Sequence, residues 1–161
     1  MKRILGLVLL LVLPFAAAAD IVGTTRVIDG DTLAVNGQRI RLHGIDAPEA
    51  QQLCRLDGKS WQCGRRATRA LSGKIDNRSV RCQKRDQDRY GRIVASCMVA
   101  ADDLGGWMVL QGWAVAYVYY SHEYMGAERL ARADRRGVWA GEFVRPWKWR
   151  RGERLLVESA Y

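Results

Sequence analysis

Three short clusters of charged residues, each beside a turn signal, constrain this chain more than any other feature. The first is Asp29-Gly30-Asp31-Thr32, the second runs from Arg41 to Glu49, and the third is Asp88-Arg89-Tyr90-Gly91-Arg92. Carboxylates hold hard cations such as Ca²⁺, and arginines hold phosphate groups. A fold that brings the three clusters together therefore creates a site for a cation and a phosphate.

The segments between these clusters have the patterns of strands and helices. Strand-like segments are rich in β-branched residues or alternate polar with apolar residues, and they cover residues 21–28, 32–35, 39–43, 79–83, 93–99 and 114–119. Helices are predicted at 61–72, 104–111 and 121–136, whereas 50–60 is expected to be a loop. Asn36-Gly37 is a strong signal for a two-residue hairpin.

This order of elements predicts an α+β fold, a five-stranded β-barrel of the oligonucleotide/oligosaccharide-binding type with about three helices. Such barrels bind ligands on an exposed strand face and its loops, which is where the charged clusters would lie. We expect one domain over residues 20–145, followed by a basic aromatic tail at 146–161.

Residues 1–19 have the pattern of a secretory signal peptide. A basic start at 1–3 precedes an apolar run at 4–15, and the alanines at 16–19 offer a cleavage site before Asp20. The alternative is an uncleaved anchor, but the run is short for a span of roughly 20 residues. We expect cleavage, no stable membrane anchor afterwards, and a secreted or periplasmic monomer.

The charge of the chain favours a polyanionic partner. The formal net charge is +9, and it falls to +7 without residues 1–19, which include Lys2 and Arg3 and no acid. A basic surface favours polyanions such as nucleic acids. The tail alternates aromatic and basic residues at 147–151, which suits either stacking on bases or docking on the barrel, and we favour docking.

Four cysteines lie after the predicted signal peptide, and an exported protein would join them in disulfides. We prefer the pairs Cys54–Cys63 and Cys82–Cys97, because the second pair lies symmetrically about the turn at 89–90. Free buried thiols are the alternative. A zinc site is disfavoured because no C-x-x-C spacing occurs and both histidines are distant in sequence.

Asp31 and Asp46 are the candidate metal ligands. Asp29-Gly30-Asp31 alone could be a simple turn, but Asp46 lies at the end of another predicted strand, and two carboxylates at adjacent strand ends can share a cation. Ala47 offers its backbone carbonyl, and water and phosphate oxygens would complete the 6–8 oxygen ligands that Ca²⁺ usually takes.

Glu49, Arg41 and Arg92 are the candidate catalytic residues. Glu49 lies three residues after Asp46, where it could orient or deprotonate an attacking water. The planar guanidiniums of Arg41 and Arg92 could stabilise the charge that grows on the phosphate oxygens. The alternative for all three is an ordinary solvated side chain.

At these positions the chain resembles the staphylococcal nuclease family over essentially all of residues 22–140. The matching motifs are residues 27–32, Val-Ile-Asp-Gly-Asp-Thr; 41–49, Arg-Leu-His-Gly-Ile-Asp-Ala-Pro-Glu; 88–92, Asp-Arg-Tyr-Gly-Arg; and 116–119, Ala-Tyr-Val-Tyr. Each motif is modest, but four in order at suitable spacing are specific. The segment at 51–63 and the cysteines depart from the best-known member of the family.

The resemblance implies the residues and the chemistry of a Ca²⁺-dependent nuclease. It implies Ca²⁺ held by Asp31, Asp46 and the carbonyl of Ala47, catalysis by Arg41, Glu49 and Arg92, and a nucleotide pocket with Tyr117 and Tyr119. Packing at the barrel edge is an equally weighted role for the two tyrosines. The expected substrates are DNA and RNA, with single strands favoured, and the products carry 3′-phosphates. A non-catalytic nucleic-acid-binding module on the same barrel is the alternative function.

Overall fold

The computed structural model of the protein describes residues 19–155, so residues 1–18 of the predicted signal peptide and 156–161 of the tail lie outside it. The described strands are β1 (Ile21–Gly23), β2 (Thr25–Val27), β3 (Thr32–Val35), β4 (Gln38–Leu42), β5 (Ile45–Asp46), β6 (Cys54–Leu56), β7 (Lys59–Trp61), β8 (Val80–Gln87), β9 (Ile93–Val99), β10 (Asp102–Asp103) and β11 (Val115–Ala116). The helices are α1 (Cys63–Ile75), α2 (Leu104–Leu110), α3 (Met125–Ala133) and α4 (Pro146–Arg150), with a 3₁₀ helix at Gly137–Ala140. Among the described residues, no helix is long and apolar enough to cross a membrane.

One mixed sheet of seven strands forms the centre of the fold. Its order is β1-β8-β9-β4-β3-β2, with β10 paired to β9, and β4 and β9 are parallel while the other pairs are antiparallel. The two ends of this path, β1 and β2, are separated in the chain by Thr24 alone, so the sheet curls until its ends are neighbours. Within residues 19–155 no ladder joins those ends.

The predicted α+β class is confirmed, but its details need correction. Within residues 19–155 the ladders do not close into the predicted five-stranded barrel, and four α-helices are present where about three were expected. The additional helix is α4, which lies in the segment that we assigned to the tail. Its start is set by Pro146, a residue that is well suited to the first turn of a helix.

The strands nearest the charged clusters agree best with the bounds predicted from the sequence. Segments 32–35 and 93–99 are strands with the predicted bounds, and Asn36-Gly37 forms the hairpin with φ of 48° and 83°. Both residues of that turn need positive φ, which Asn and Gly tolerate.

The prediction that 50–60 is a loop was wrong. Strands β6 and β7 pair there as an antiparallel hairpin, and the turn consists of Asp57 and Gly58, with φ of 49° and 75°. Asp-Gly is a two-residue hairpin signal of the same kind as Asn-Gly. The flanking strands are only three residues each, too short to show a clear alternation of polar and apolar residues.

Both predicted disulfides are present. Cys54 is bonded to Cys63, and Cys82 is bonded to Cys97. Cys82 and Cys97 face each other in the ladder between β8 and β9, and both are fully buried in the main core. The second disulfide therefore links two central strands of the sheet, whereas the first links the β6–β7 hairpin to the start of α1.

Removing the central disulfide should destabilise the protein. We expect the double variant Cys82→Ala/Cys97→Ala to lose about 3 kcal/mol of unfolding free energy, because the crosslink restricts a loop of about 15 residues in the unfolded chain. Urea unfolding of the variant and the parent protein measures the difference. An unchanged urea midpoint would contradict the expectation.

Candidate active site

The three charged clusters meet in one cleft of about 910 Å³. Asp31 and Arg41 line it from the central sheet, Glu49 from the segment after β5, and Arg92 from the turn between β8 and β9. The predicted convergence of carboxylates and guanidiniums therefore occurs, although the three clusters are far apart in sequence.

Local hydrogen bonds fix the first cluster. Asp29 accepts a bond from the backbone N–H of Asp31 at 3.0 Å, and the hydroxyl of Thr32 donates to Oδ1 of Asp31 at 3.0 Å. Thr32 lies opposite Arg41 in the β3–β4 ladder, so the register of this hairpin places Arg41 beside Asp31. The turn at residues 29–32 thus positions Asp31, one of the two candidate metal ligands.

Arg41 bridges the two candidate metal ligands. Its Nη1 donates to Oδ1 of Asp31 at 3.2 Å, and its Nη2 donates to Oδ1 of Asp46 at 2.8 Å. Asp31 is 5% exposed and Asp46 is 0% exposed, so both carboxylates are removed from water. A buried carboxylate needs a partner of opposite charge, and Arg41 provides it for both.

Burial and the negative charge of Asp31 raise the pKa values of two neighbouring carboxyl groups, those of Asp46 and Asp29. Burial raises the pKa of Asp46, and the charge of Asp31 adds to the rise, while bonds from Arg150 and the charge of Arg41 oppose it. The pKa of Asp29 is raised to about 6, first by burial and then by the charge of Asp31. Burial thus disfavours the ionised form of Asp29 and Asp46, and the guanidiniums offset only part of that effect on the pKa of Asp46.

The donor set of the site fits a hard cation. The carboxylates of Asp31 and Asp46 lie within reach of one guanidinium, and the backbone N–H of Ala47 donates to Oδ2 of Asp31 at 3.1 Å, which holds the Ala47 backbone against Asp31. In residues 19–155, no cluster of three or more His, Cys, Asp or Glu side chains is arranged for a metal. A cation here would thus rely on two carboxylates, a backbone carbonyl, and oxygens from water or substrate, a set that suits Ca²⁺.

Glu49 is held by a buried amide that the sequence did not identify. The side chain of Gln52 is fully buried; its Oε1 accepts from the backbone N–H of Glu49 at 3.2 Å, and its Nε2 donates to the carbonyl of Val144 at 2.6 Å. The backbone N–H of Gln52 also donates to the carbonyl of Glu49 at 2.7 Å. Gln52 thus ties the Glu49 segment to the chain that leads into α4.

Arg92 is organised by its own turn. Its Nε donates to Oδ2 of Asp88 at 2.7 Å, and the backbone N–H groups of Tyr90 and Arg92 both donate to Oδ1 of Asp88 at 2.9 Å. Burial works to raise the pKa of Asp88, but these bonds hold it below its ordinary value. The turn therefore presents the Arg92 guanidinium to the cleft from a fixed backbone.

Arg150 is the principal site residue that sequence reasoning missed. It is the last residue of α4, and its two Nη atoms donate to both carboxylate oxygens of Asp46, at 3.0 and 2.9 Å. Nη1 also donates to Oε1 of Glu49 at 2.7 Å. No local signal separated Arg150 from the other arginines of the chain, because its partners lie more than 100 positions away in sequence.

The described start of the tail, α4, docks beside the site, as we favoured. The ring of Trp147 stacks on Tyr117 with centroids 5.5 Å apart and an interplanar angle of 17°, and Pro146 is buried. The two predicted pocket tyrosines therefore differ: Tyr117 has one face covered, whereas Tyr119 is 80% exposed. Both line the cleft.

A buried glutamate secures the other end of the docked segment. Glu128 of α3 accepts from the backbone N–H of Ala116 at 2.6 Å and from Arg145 at 3.4 Å, and it also pairs with Arg132. Arg145 immediately precedes α4. Sequence periodicity offers only the partner in the same helix, because the other two partners of Glu128 lie in distant segments.

Comparison with known proteins gives a consistent family. The family model described as staphylococcal nuclease homologue matches residues 39–141. The succinoglycan biosynthesis protein ExoI of Rhizobium meliloti (strain 1021) is 36% identical over 78% of this chain and 68% of its own length. A micrococcal nuclease of Shigella flexneri is 33% identical over 94% of this chain and 93% of its own, and an uncharacterized endonuclease of Haemophilus influenzae (strain ATCC 51907 / DSM 11121 / KW20 / Rd) is 33% identical over 99% and 91%.

Adding one methyl group next to the Glu49 backbone should disturb the site. A Cβ at Gly64 would lie 1.7 Å from the carbonyl oxygen of Glu49, whereas a Cβ at the exposed Gly73 of the same helix would meet nothing within 4 Å. We expect Gly64→Ala to cost about 2 kcal/mol or more of unfolding free energy, because backbone must move to relieve the contact.

The matched variant Gly73→Ala should be neutral or stabilising by roughly 0.5–1 kcal/mol, because alanine is the better helix former. Urea unfolding of both variants tests the pair. Equal stability of Gly64→Ala and Gly73→Ala would show that the close packing of α1 on the Glu49 segment is wrongly described.

Proposed function

The chain belongs to the staphylococcal nuclease family, and from that premise we propose that it is an exported Ca²⁺-dependent endonuclease that hydrolyses DNA and RNA to 3′-phosphate products. One observation carries the proposal. Asp31 and Arg41 line the same cleft as Glu49 and Arg92, and Arg41 also pairs with the fully buried Asp46. A cation, a candidate base and guanidiniums can therefore act on one phosphate.

Asp31, Asp46 and the carbonyl of Ala47 are the proposed Ca²⁺ ligands. When bound, Ca²⁺ supplies positive charge that draws a phosphate into the cleft and offsets the charge that develops on its oxygens. Burial of both carboxylates supports the assignment, because hydrogen bonds and the Arg41 guanidinium fix them in place. Apart from Arg150, which occupies Asp46, the proposed ligands are therefore already held in place for a cation.

Glu49 is the proposed base. In the proposed step it accepts a proton from a water molecule as the water oxygen forms its bond to phosphorus. The bond between phosphorus and the 5′-oxygen breaks, and the departing 5′-oxygen takes up a proton. The phosphate stays on the 3′-oxygen, which gives the 3′-phosphate product.

Arg41 and Arg92 are the proposed stabilisers of the phosphate. Charge grows on the equatorial oxygens as phosphorus becomes five-coordinate, and planar guanidiniums can donate paired hydrogen bonds to them. Arg41 is 17% exposed and Arg92 is 25% exposed, so both are partly shielded from water yet open to the cleft. Partial burial strengthens their interaction with a charged substrate.

The rim of the cleft supports a nucleic-acid substrate, with single strands favoured. Tyr119 and Tyr90 are 80% and 70% exposed, and both line the cleft. Exposed aromatic rings stack on unpaired bases, and the positive charge of the chain attracts the backbone. Trp147 covers one ring face of Tyr117, so that face is closed to a base.

Export as a monomer remains part of the proposal. The signal-like pattern of residues 1–19 and the two disulfides support export, since disulfides persist in oxidising compartments. We keep the proposed division into a signal peptide at 1–19, a catalytic domain at 20–145 and a C-terminal segment at 146–161. The first residues of that last segment form α4 and dock on the site.

The function is tested first by cleavage with and without Ca²⁺. We expect the purified protein to cleave single-stranded DNA in Ca²⁺, to leave 3′-phosphate ends, and to stop when excess chelator is added, because Asp31 and Asp46 then lack their cation. End-labelled products on a denaturing gel, with and without phosphatase treatment, identify the ends. Binding of DNA by the folded protein without any product would instead favour the non-catalytic binding module.

Neutralising Glu49 should remove catalysis and leave the fold intact. We expect Glu49→Gln to lower the cleavage rate by roughly 10²- to 10⁴-fold, because a positioned base contributes about that much. Glutamine can still accept a bond from Arg150, so the thermal midpoint should change little. The exposed Glu123 provides the matched control Glu123→Gln, and equal rates for the two variants would remove Glu49 from the mechanism.

A further inference from the structure

Arg150 joins a proposed metal ligand, Asp46, to the proposed base, Glu49, through one guanidinium. Its guanidinium forms a two-pronged bond with Asp46 and a third bond with Glu49, at 2.7–3.0 Å. Oδ2 of Asp46 accepts a hydrogen bond from Arg150, whereas Oδ1 accepts hydrogen bonds from both Arg150 and Arg41. The side chain is 37% exposed at the mouth of the cleft, so it is positioned to move without opening the core.

The helix that carries Arg150 is anchored independently of that guanidinium. Trp147 stacks on Tyr117, Pro146 is buried, and the carbonyl of Val144 accepts from the buried Gln52. These contacts hold the backbone of α4 beside the site, and they do not depend on which groups the Arg150 side chain contacts. A change of partner by Arg150 therefore requires only side-chain rotation.

The charges at the site favour an exchange between Arg150 and a divalent cation. Asp31, Asp46 and Glu49 carry three negative charges, and the paired guanidiniums of Arg41 and Arg150 carry two positive charges. When Arg150 leaves Asp46 and keeps its bond to Glu49, Asp31 and Asp46 face only the positive charge of Arg41, and this excess of one negative charge attracts a cation. A cation bound to Asp46 while Arg150 stays in place would instead repel a guanidinium a few ångströms away.

We propose that Arg150 is a positioning residue that competes with the divalent cation for Asp46 and keeps Glu49 oriented after the exchange. This inference rests on the proposed Ca²⁺-dependent function. Before the cation binds, Arg150 neutralises Asp46; once Asp46 is taken by the cation, Arg150 retains its bond to Glu49 and faces the phosphate.

Arg41 is not equivalent to Arg150 in this exchange. Arg41 lies within the β3–β4 ladder, bridges both aspartates and is 17% exposed. Arg150 lies at the end of a five-residue helix and has twice that exposure. Arg150 also contacts Glu49, so it can leave Asp46 and keep a charged partner within the site.

Ca²⁺ titration of the purified protein by isothermal calorimetry tests the proposal. We expect Arg150→Gln to bind Ca²⁺ about tenfold more tightly than the parent protein, because a like charge has been removed from Asp46. The same variant should turn over DNA roughly tenfold to 100-fold more slowly at saturating Ca²⁺, because Glu49 has lost its orienting partner. A merely structural lesion would weaken Ca²⁺ binding as well as turnover.

Two further variants serve as controls. Arg151→Gln removes the same charge from the adjacent, exposed arginine at the rim of the cleft, and it should change Ca²⁺ affinity by less than about twofold, because solvent screens that charge. Arg150→Lys keeps the positive charge beside Asp46 but cannot form the two-pronged bond. Its Ca²⁺ affinity should therefore lie between those of the parent protein and Arg150→Gln. Circular dichroism establishes that each variant is folded, and Arg150→Lys carries the test if Arg150→Gln does not fold.

The outcomes separate this inference from the proposed function. Tighter Ca²⁺ binding with slower turnover in Arg150→Gln, and not in Arg151→Gln, supports the competition. Equal or weaker Ca²⁺ binding in Arg150→Gln and Arg150→Lys overturns the competition and leaves the Ca²⁺-dependent function standing. Absence of Ca²⁺ binding in the parent protein and in every variant overturns both.

Discussion

Two buried carboxylates held by one guanidinium are the arrangement on which the rest of the site depends. Asp31 and Asp46 are almost fully shielded from water, and without compensation each would carry a large desolvation penalty. Arg41 offsets that penalty for both, and the β3–β4 ladder fixes its place opposite Thr32. The register of one hairpin therefore decides whether two acidic residues can coexist in the core, and the remaining groups are arranged around them.

The site is supported in two different ways. Arg41 lies in the curled sheet, Asp31 lies just before its strand β3, and Asp46 lies in the separate β5–β11 ladder, so backbone ladders and hydrogen bonds hold all three in place. Glu49 and Arg150 belong to segments outside that sheet, and their support comes from Gln52 and from α4. The first group provides a rigid electrostatic base, whereas the second can adjust when a charged ligand enters.

The sequence predicted the parts of this protein that local chemistry determines. Strands 32–35 and 93–99, the Asn36-Gly37 turn and the pairing of Cys82 with Cys97 depend on short patterns and were confirmed. The β6–β7 hairpin was missed because its strands are three residues long, too short for periodicity. Arg150 was missed for a different reason, since nothing near it in sequence indicates a partner in the first third of the chain.

The separation between Arg150 and its partners has a consequence for folding. Its bonds to Asp46 and Glu49 join residues 104 and 101 positions apart, so they close a loop that spans most of the described chain. Loop closure on this scale carries an entropic cost that is met only after nearer contacts have formed. The sheet can thus assemble while Asp46 has only Arg41 as its cation, and the full charge balance of the site is reached when the last helix docks. In a chain made from its amino terminus, Arg150 leaves the ribosome 104 residues after Asp46 and 101 residues after Glu49, so both acids must wait for it.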